Sequence, residues 1–170
     1  MEDSLSGRLI GYARNAAPSV LILTGVLVLK LPFGLPAISS LAPVFAICSI
    51  YYWVLYRPLA FPVGLTFLIG FFIDLLSSGP FGVHCLVLLL THGLTLTQRS
   101  FLANKAPWVI WLGEIVIAWA SVIAYWLVHS VYQFTLMPVV PMIFQLALTI
   151  ILYPVVSEFY SFVRVRVLKV

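Results

Sequence analysis

Apolar runs of membrane-crossing length follow one another along this chain with only a few polar residues between them. They fall at 18–35, 41–56, 59–76, 81–97, 107–129 and 141–162. A helix needs roughly 20 apolar residues to cross a bilayer, so each run is a candidate span. Composition removes the soluble alternative. The 170 residues are 63% hydrophobic and 8% charged, against about 45–50% apolar and about 25% charged in soluble domains. No core of this size could hide so much apolar surface from water. The expectation is an all-α integral membrane protein, one membrane domain over 1–170, folded as a bundle of six transmembrane helices.

The breaks between runs are short and specific. Arg57-Pro58 closes the second run, Ser77-Ser78-Gly79-Pro80 the third, and Gln98-Arg99 the fourth. The first run is interrupted by Lys30, Pro32 and Pro36. Proline removes a backbone donor and clashes with the preceding turn, so the end of this run is either a kinked helix or extended chain. Pro43 directly follows the small-residue stretch at 40–42, which spoils it as a cleavage site, and the first run reads as a retained helix.

Charge placement sets the orientation. With six spans and a cytoplasmic N-terminus, every Lys and Arg except Lys30 falls on the cytoplasmic side, as the positive-inside rule requires. Both termini are then cytoplasmic. Interfacial aromatic belts are expected from Tyr51, Tyr52, Trp53 and Tyr56, and from Trp108 and Trp111, at the inner surface. Trp126 and Tyr132 are expected near the outer one. The net charge of +4 is scattered as punctuation without a basic run, which excludes nucleic acid as a partner.

Ionisable groups in lipid are costly and are functional candidates by default. Asp74 lies about one turn before the 77–80 break. There the dipole of its own helix disfavours a carboxylate, while the free N–H groups opening the next helix favour one. Gly79 suits a helix stop and Pro80 a helix start, giving a tight antiparallel hairpin. Asp74 is therefore expected to clasp the start of the next helix around 81–83, with an ion pair to Lys30 as a second possibility. Glu114, about two turns into the fifth run, is expected to meet Gln98, Arg99 or Arg57. Glu158 is expected as an interfacial charge.

Catalytic and metal chemistry find little support. Ser78, His84 and Asp74 could be assembled into a triad, but no nucleophile-elbow or zincin spacing backs it. His84 and His92 would stand about 12 Å apart along one helix, too far to share a metal. Cys48 and Cys85 lie in apolar runs without ligand spacing and are expected as buried, inert thiols. No enzymatic activity and no cofactor are expected.

Two stretches carry a family resemblance. "YYWVLYRP" (51–58) and "FLIGFFIDLLSSGPFGVH" (67–84) resemble the core of the rod shape-determining protein MreD family. The shared features are an aromatic helix ending in Arg-Pro, then Gly70, Asp74 four residues on, a small-residue break at 77–79, and Gly82 opening the next helix. The double Tyr before Trp and the Arg-Pro resemble the alphaproteobacterial branch. The resemblance implies a non-enzymatic scaffold of the cell-elongation complex in the bacterial inner membrane. The partners it implies are MreC, the actin-like MreB, and a RodA-type glycosyltransferase with its penicillin-binding transpeptidase, which make peptidoglycan. It also implies a fold like that of the substrate-binding subunits of energy-coupling factor transporters, so a vitamin-like small-molecule binding subunit is the alternative. Those subunits often carry an Ala-xxx-Ala surface on their first helix, which the first helix of this chain lacks. The structural or partner-contact candidates are Asp74, Lys30, Gly70, Gly79, Pro80, Gly82 and Glu114. No catalytic, cofactor or metal residue is carried over.

Overall fold

The computed structural model describes residues 18–30, 41–77, 79–134 and 138–166. All regular structure among these residues is helical. The helices are α1 (Pro18–Lys30), α2 (Leu41–Tyr56), α3 (Val63–Leu75), α4 (Val83–Leu102), α5 (Pro107–Gln133) and α6 (Val139–Arg166). Three of them, α4, α5 and α6, are long and apolar enough to cross a membrane. The other three are shorter apolar helices. The part of the first run that holds Pro32 and Pro36 lies outside the described residues.

The bundle is organised around α2. It packs against α4 and α6, with further contacts to α3 and α5, and nearly all its residues are buried. A helix that is apolar all round belongs inside, and α2 has no polar face to turn outward. The others surround it, with α3 beside α4, α4 beside α5 and α5 beside α6. From α1, Ile22 and Val26 enter the same core, and Val20 and Leu23 share an apolar gap with Leu65, Ile69 and Phe72 of α3. The outward faces carry large apolar side chains such as Leu68, Phe72, Trp119, Ile143 and Phe159.

The burial of α2 corrects one expectation. Tyr51, Tyr52 and Trp53 do not face an interface but are buried within the bundle. Tyr51 meets Tyr153 edge-on at 5.4 Å between ring centroids, and Trp53 meets Tyr160 edge-on, also at 5.4 Å. The Tyr51 hydroxyl donates to the Ile110 carbonyl at 2.7 Å, and the Ser49 and Tyr160 hydroxyls share a hydrogen bond of 2.8 Å. An amphipathic ring can be buried when its polar tip has a partner, as α5 gives Tyr51 and Ser49 of α2 gives Tyr160. The Tyr52 hydroxyl and the Trp53 indole N–H are buried without one and are held by ring packing alone. Trp108, Trp111 and Tyr132 of α5 are exposed.

Polar contacts also join the outer helices. Thr91 of α4 bonds Ser121 of α5 at 2.8 Å, and His92 of α4 bonds Thr66 of α3 at 2.7 Å. Helices in lipid gain little from apolar contact alone and use such bonds as glue. A third contact repairs a defect. Pro154 lies inside α6 and has no N–H to give Ile150, four residues earlier. The indole N–H of Trp111 donates to that carbonyl at 3.2 Å. Trp111→Phe is therefore expected to lower the thermal stability of the detergent-purified protein by about 1–2 kcal/mol, the cost of an unpaired acceptor. Trp119→Phe on the same helix is expected to leave it unchanged.

Candidate functional site

The candidate site is built on the α3–α4 hairpin. Helix α3 ends at Leu75, and the Leu76 and Ser77 N–H groups bond back to the Phe72 and Asp74 carbonyls at 3.1 and 3.2 Å. The chain then turns through Gly79 and Pro80 to Gly82, whose φ of 90° is the left-handed conformation that glycine adopts without a steric cost. Gly82 is the N-cap of α4 and has no side chain with which to cap it.

Asp74 supplies the missing cap from the neighbouring helix. Its Oδ2 accepts from the Gly82 and Cys85 N–H groups at 3.0 and 3.1 Å. Its Oδ1 accepts from the His84 N–H at 3.1 Å and from the His84 ring Nδ1 at 2.8 Å. Three of the four orphan donors that open a helix thus converge on one carboxylate, 2% exposed. The helix dipole adds to the attraction of an anion there. Because a carboxylate only accepts, the His84 Nδ1 carries the proton.

Gly70, one turn before Asp74, makes this geometry possible. A Cβ built on Gly70 would stand 2.6 Å from the Cα of Cys85, so α3 and α4 touch backbone to backbone. The expectation for Pro80 is corrected. Helix α4 begins at Val83, so Pro80 lies in the connection and not in the first helical turn. Gly79 likewise does not take the left-handed stop conformation, which falls to Gly82. The reason is the carboxylate, which selects Gly82, His84 and Cys85 as donors and so fixes where the helix starts.

Lys30 does not pair with Asp74 directly. Its Nζ donates to the Ser77 Oγ at 2.8 Å, and that hydroxyl donates to the Ile73 carbonyl at 2.6 Å. His84, already bonded at short range, takes the place at the carboxylate that Lys30 was expected to fill. Lys30 donates to the Ser77 hydroxyl, which itself donates to backbone, so Lys30 is not placed to accept the hydroxyl proton as an activating base would. Ser78 lies outside the described residues. Beside the hairpin a cleft of about 410 Å³ opens, lined by Lys30, Ser77, His84, Tyr125, Gln145 and Phe144 among others. Of these, the Tyr125 ring on α5 lies 5.5 Å from that of His84 on α4 and 5.6 Å from that of His129 on its own helix.

Glu114 is elsewhere, and its expected partners are replaced. It is fully buried, with the Cys48 thiol 3.9 Å from its Oε1, and its Oε2 has no hydrogen-bond partner. Arg99 instead donates its Nε to the Leu55 carbonyl at 3.0 Å. Glu114 points at the central helix, a direction that spacing along the chain does not reveal. Glu158 is exposed. Cys48 and Cys85 are free and buried. Among the described residues no group of His, Cys, Asp and Glu could hold a metal ion. Tyr125 and Gln145 also line the cleft, and nothing local in the sequence marks a Tyr or Gln on an apolar helix as facing a cavity.

Two outcomes check the hairpin. Asp74→Asn keeps one acceptor but turns an NH₂ toward the N–H groups held by the other oxygen. Asp74→Leu leaves all three backbone donors bare, at about 1–3 kcal/mol for each buried unsatisfied group. Thermal stability in detergent is expected to fall in the order wild type, Asp74→Asn, Asp74→Leu. Gly70→Ala is expected to reduce the monodisperse fraction on size exclusion sharply, because its Cβ would collide with backbone. Gly93→Ala, where a Cβ meets nothing within 4 Å, is expected to be neutral.

Comparison with curated proteins and with solved structures returned no match to this chain. The family model described as rod shape-determining protein MreD matches residues 16–163. The match covers most of the chain, including the clasped hairpin, the central aromatic helix and the cleft, and the protein belongs to the MreD family of rod shape determination.

Proposed function

We propose that the protein is a non-enzymatic scaffold of the cell-elongation complex in the bacterial inner membrane, and that it holds MreC in the cleft beside the α3–α4 hairpin. The carrying observation is the hairpin itself. A carboxylate saturated by four donors fixes its turn, and it forms one wall of the cleft. The described connections between helices are short, so docking surfaces must come from the bundle. The single domain would cross the membrane six times with both termini cytoplasmic. Arg57, Arg99, Lys105, Arg164 and Arg166 gather where α2, α4 and α6 end, and the positive-inside rule makes that end cytoplasmic. The hairpin and Lys30 would then lie at the outer leaflet, where a single-span partner emerges. Through MreC the scaffold would position the RodA-type glycosyltransferase, its penicillin-binding transpeptidase and MreB.

A second reading rests on the same cleft. Its size falls within the roughly 300–1,000 Å³ of small-molecule sites, and Lys30, Ser77, His84, Tyr125 and Gln145 give it polar walls. This fits a small-molecule binding subunit of the energy-coupling factor type, whose fold the six-helix plan would share.

Co-purification from native membranes tests the first reading. Wild type is expected to capture MreC. Gln145→Trp, which fills the cleft, is expected to weaken capture by about ten-fold or more, equivalent to ~1.4 kcal/mol, with an unchanged size-exclusion profile. Leu68→Trp on the outward face of α3 is expected to have no effect. Absence of MreC from the wild-type complex, or full capture by Gln145→Trp, overturns the docking site. Native mass spectrometry that finds a small molecule bound in place of MreC selects the second reading.

A further inference from the structure

At the opposite end of the bundle a second cavity, of about 570 Å³, is lined by Tyr56, Arg57, Pro58, Leu59, Ala60 and Arg99. The turn joining α2 to α3 forms most of it, held by the Ala60 N–H to the Arg57 carbonyl at 3.1 Å and the Phe61 N–H to the Pro58 carbonyl at 3.3 Å. Arg99 reaches it from α4. Its Nε donates to the Leu55 carbonyl at 3.0 Å, one of the acceptors that the end of α2 leaves unpaired, and that bond fixes the plane of its guanidinium. Arg164 of α6 stacks on the ring of Tyr56, 4.6 Å from the centroid.

Among the described residues these cations have no carboxylate partner. The ion pair among the described residues is His84 with Asp74, at the other end. Glu158 makes none, although it lies on the same helix as Arg164. The Nη1 of Arg57 is shielded from solvent and has no hydrogen-bond partner. A buried donor on a charged group without an acceptor is costly, and two guanidiniums lining one cavity are arranged for an anion with several oxygens.

We infer that this cavity binds the phosphate of an anionic phospholipid. A lipid is favoured over a free phosphate by what surrounds the cavity. Leu59 at its edge is 99% exposed, and exposed Val63, Phe67 and Leu96 continue from it along α3 and α4. Exposed Trp108, at the same end on α5, marks headgroup depth. A phosphate at Arg57 and Arg99 would have its acyl chains against these side chains. Basic pockets between membrane helices take anionic headgroups in this way. The inference does not depend on the docking of MreC.

Native mass spectrometry of the full chain tests it, after reconstitution with phosphatidylglycerol and phosphatidylcholine in equal amounts. Wild type is expected to retain phosphatidylglycerol with a preference on the order of ten-fold, and the preference falls as salt is raised. Arg57→Gln loses the preference, and Lys30→Gln, at the other end, keeps it. Equal retention of the two lipids by wild type, or an undiminished preference in Arg57→Gln, overturns the site. Displacement of the lipid by millimolar inorganic phosphate overturns the lipid assignment in favour of a free anion. Should Arg57→Gln fail to give a monodisperse peak, Arg57→Lys takes its place. It keeps the charge but loses the two-pronged donor, and a preference undiminished from wild type would again overturn the site.

Discussion

Backbone groups that helix geometry leaves unpaired must find partners within the protein wherever water is absent. Three long-range side-chain contacts in this bundle do that work. Asp74 of α3 caps the first turn of α4. Trp111 of α5 serves the carbonyl that Pro154 frees in α6. Arg99 of α4 serves a carbonyl at the end of α2. Each ties two helices together at a point where one of them is defective. The defects and the tertiary contacts are therefore the same places, and the sequence positions that break helices also fix how helices meet.

The hairpin shows how such a repair becomes a site. The carboxylate satisfies the N-terminus of α4, and the close approach at Gly70 brings it within reach. Its two oxygens are filled by four donors, which is the acceptor capacity a carboxylate has. Asp74 thus has nothing left to offer a partner. In the docking site proposed above, recognition would fall to its neighbours that line the cleft: Lys30, His84, Tyr125 and Gln145. The carboxylate shapes the wall and would leave contact with an occupant to them.

Part of this was readable from the chain. Six apolar runs gave the helix count, and an Asp one turn before a Gly-Pro break pointed to the N–H groups of the next helix, because both facts are local. The central place of α2 was not readable. Its aromatic end looks like an interfacial belt, since a belt and a buried aromatic cluster have the same composition and differ only in what lies opposite. Pro154 announces a freed carbonyl at Ile150, but the sequence does not say that Trp111, 39 residues away, supplies the donor. The same holds for Glu114, whose neighbours are set by the packing of α5 on α2 and not by spacing along α5.

The two intramembrane carboxylates show that burial alone does not define a site. Asp74 and Glu114 are both almost inaccessible. One is saturated with donors at a helix start, while the other has a thiol at 3.9 Å and an oxygen without a partner. The first is explained by the architecture it holds together. The second lies against the central helix, where Tyr51 approaches a Cβ built on the adjacent Gly113 to 2.9 Å. Glu114 lines neither the cleft nor the arginine-lined cavity. It reports on how α5 is seated on α2, whereas a binding role needs a cavity and groups free to face it. In this bundle those two conditions meet at its ends, in the cleft by Lys30 and in the arginine-lined cavity by Arg57, and not at its middle.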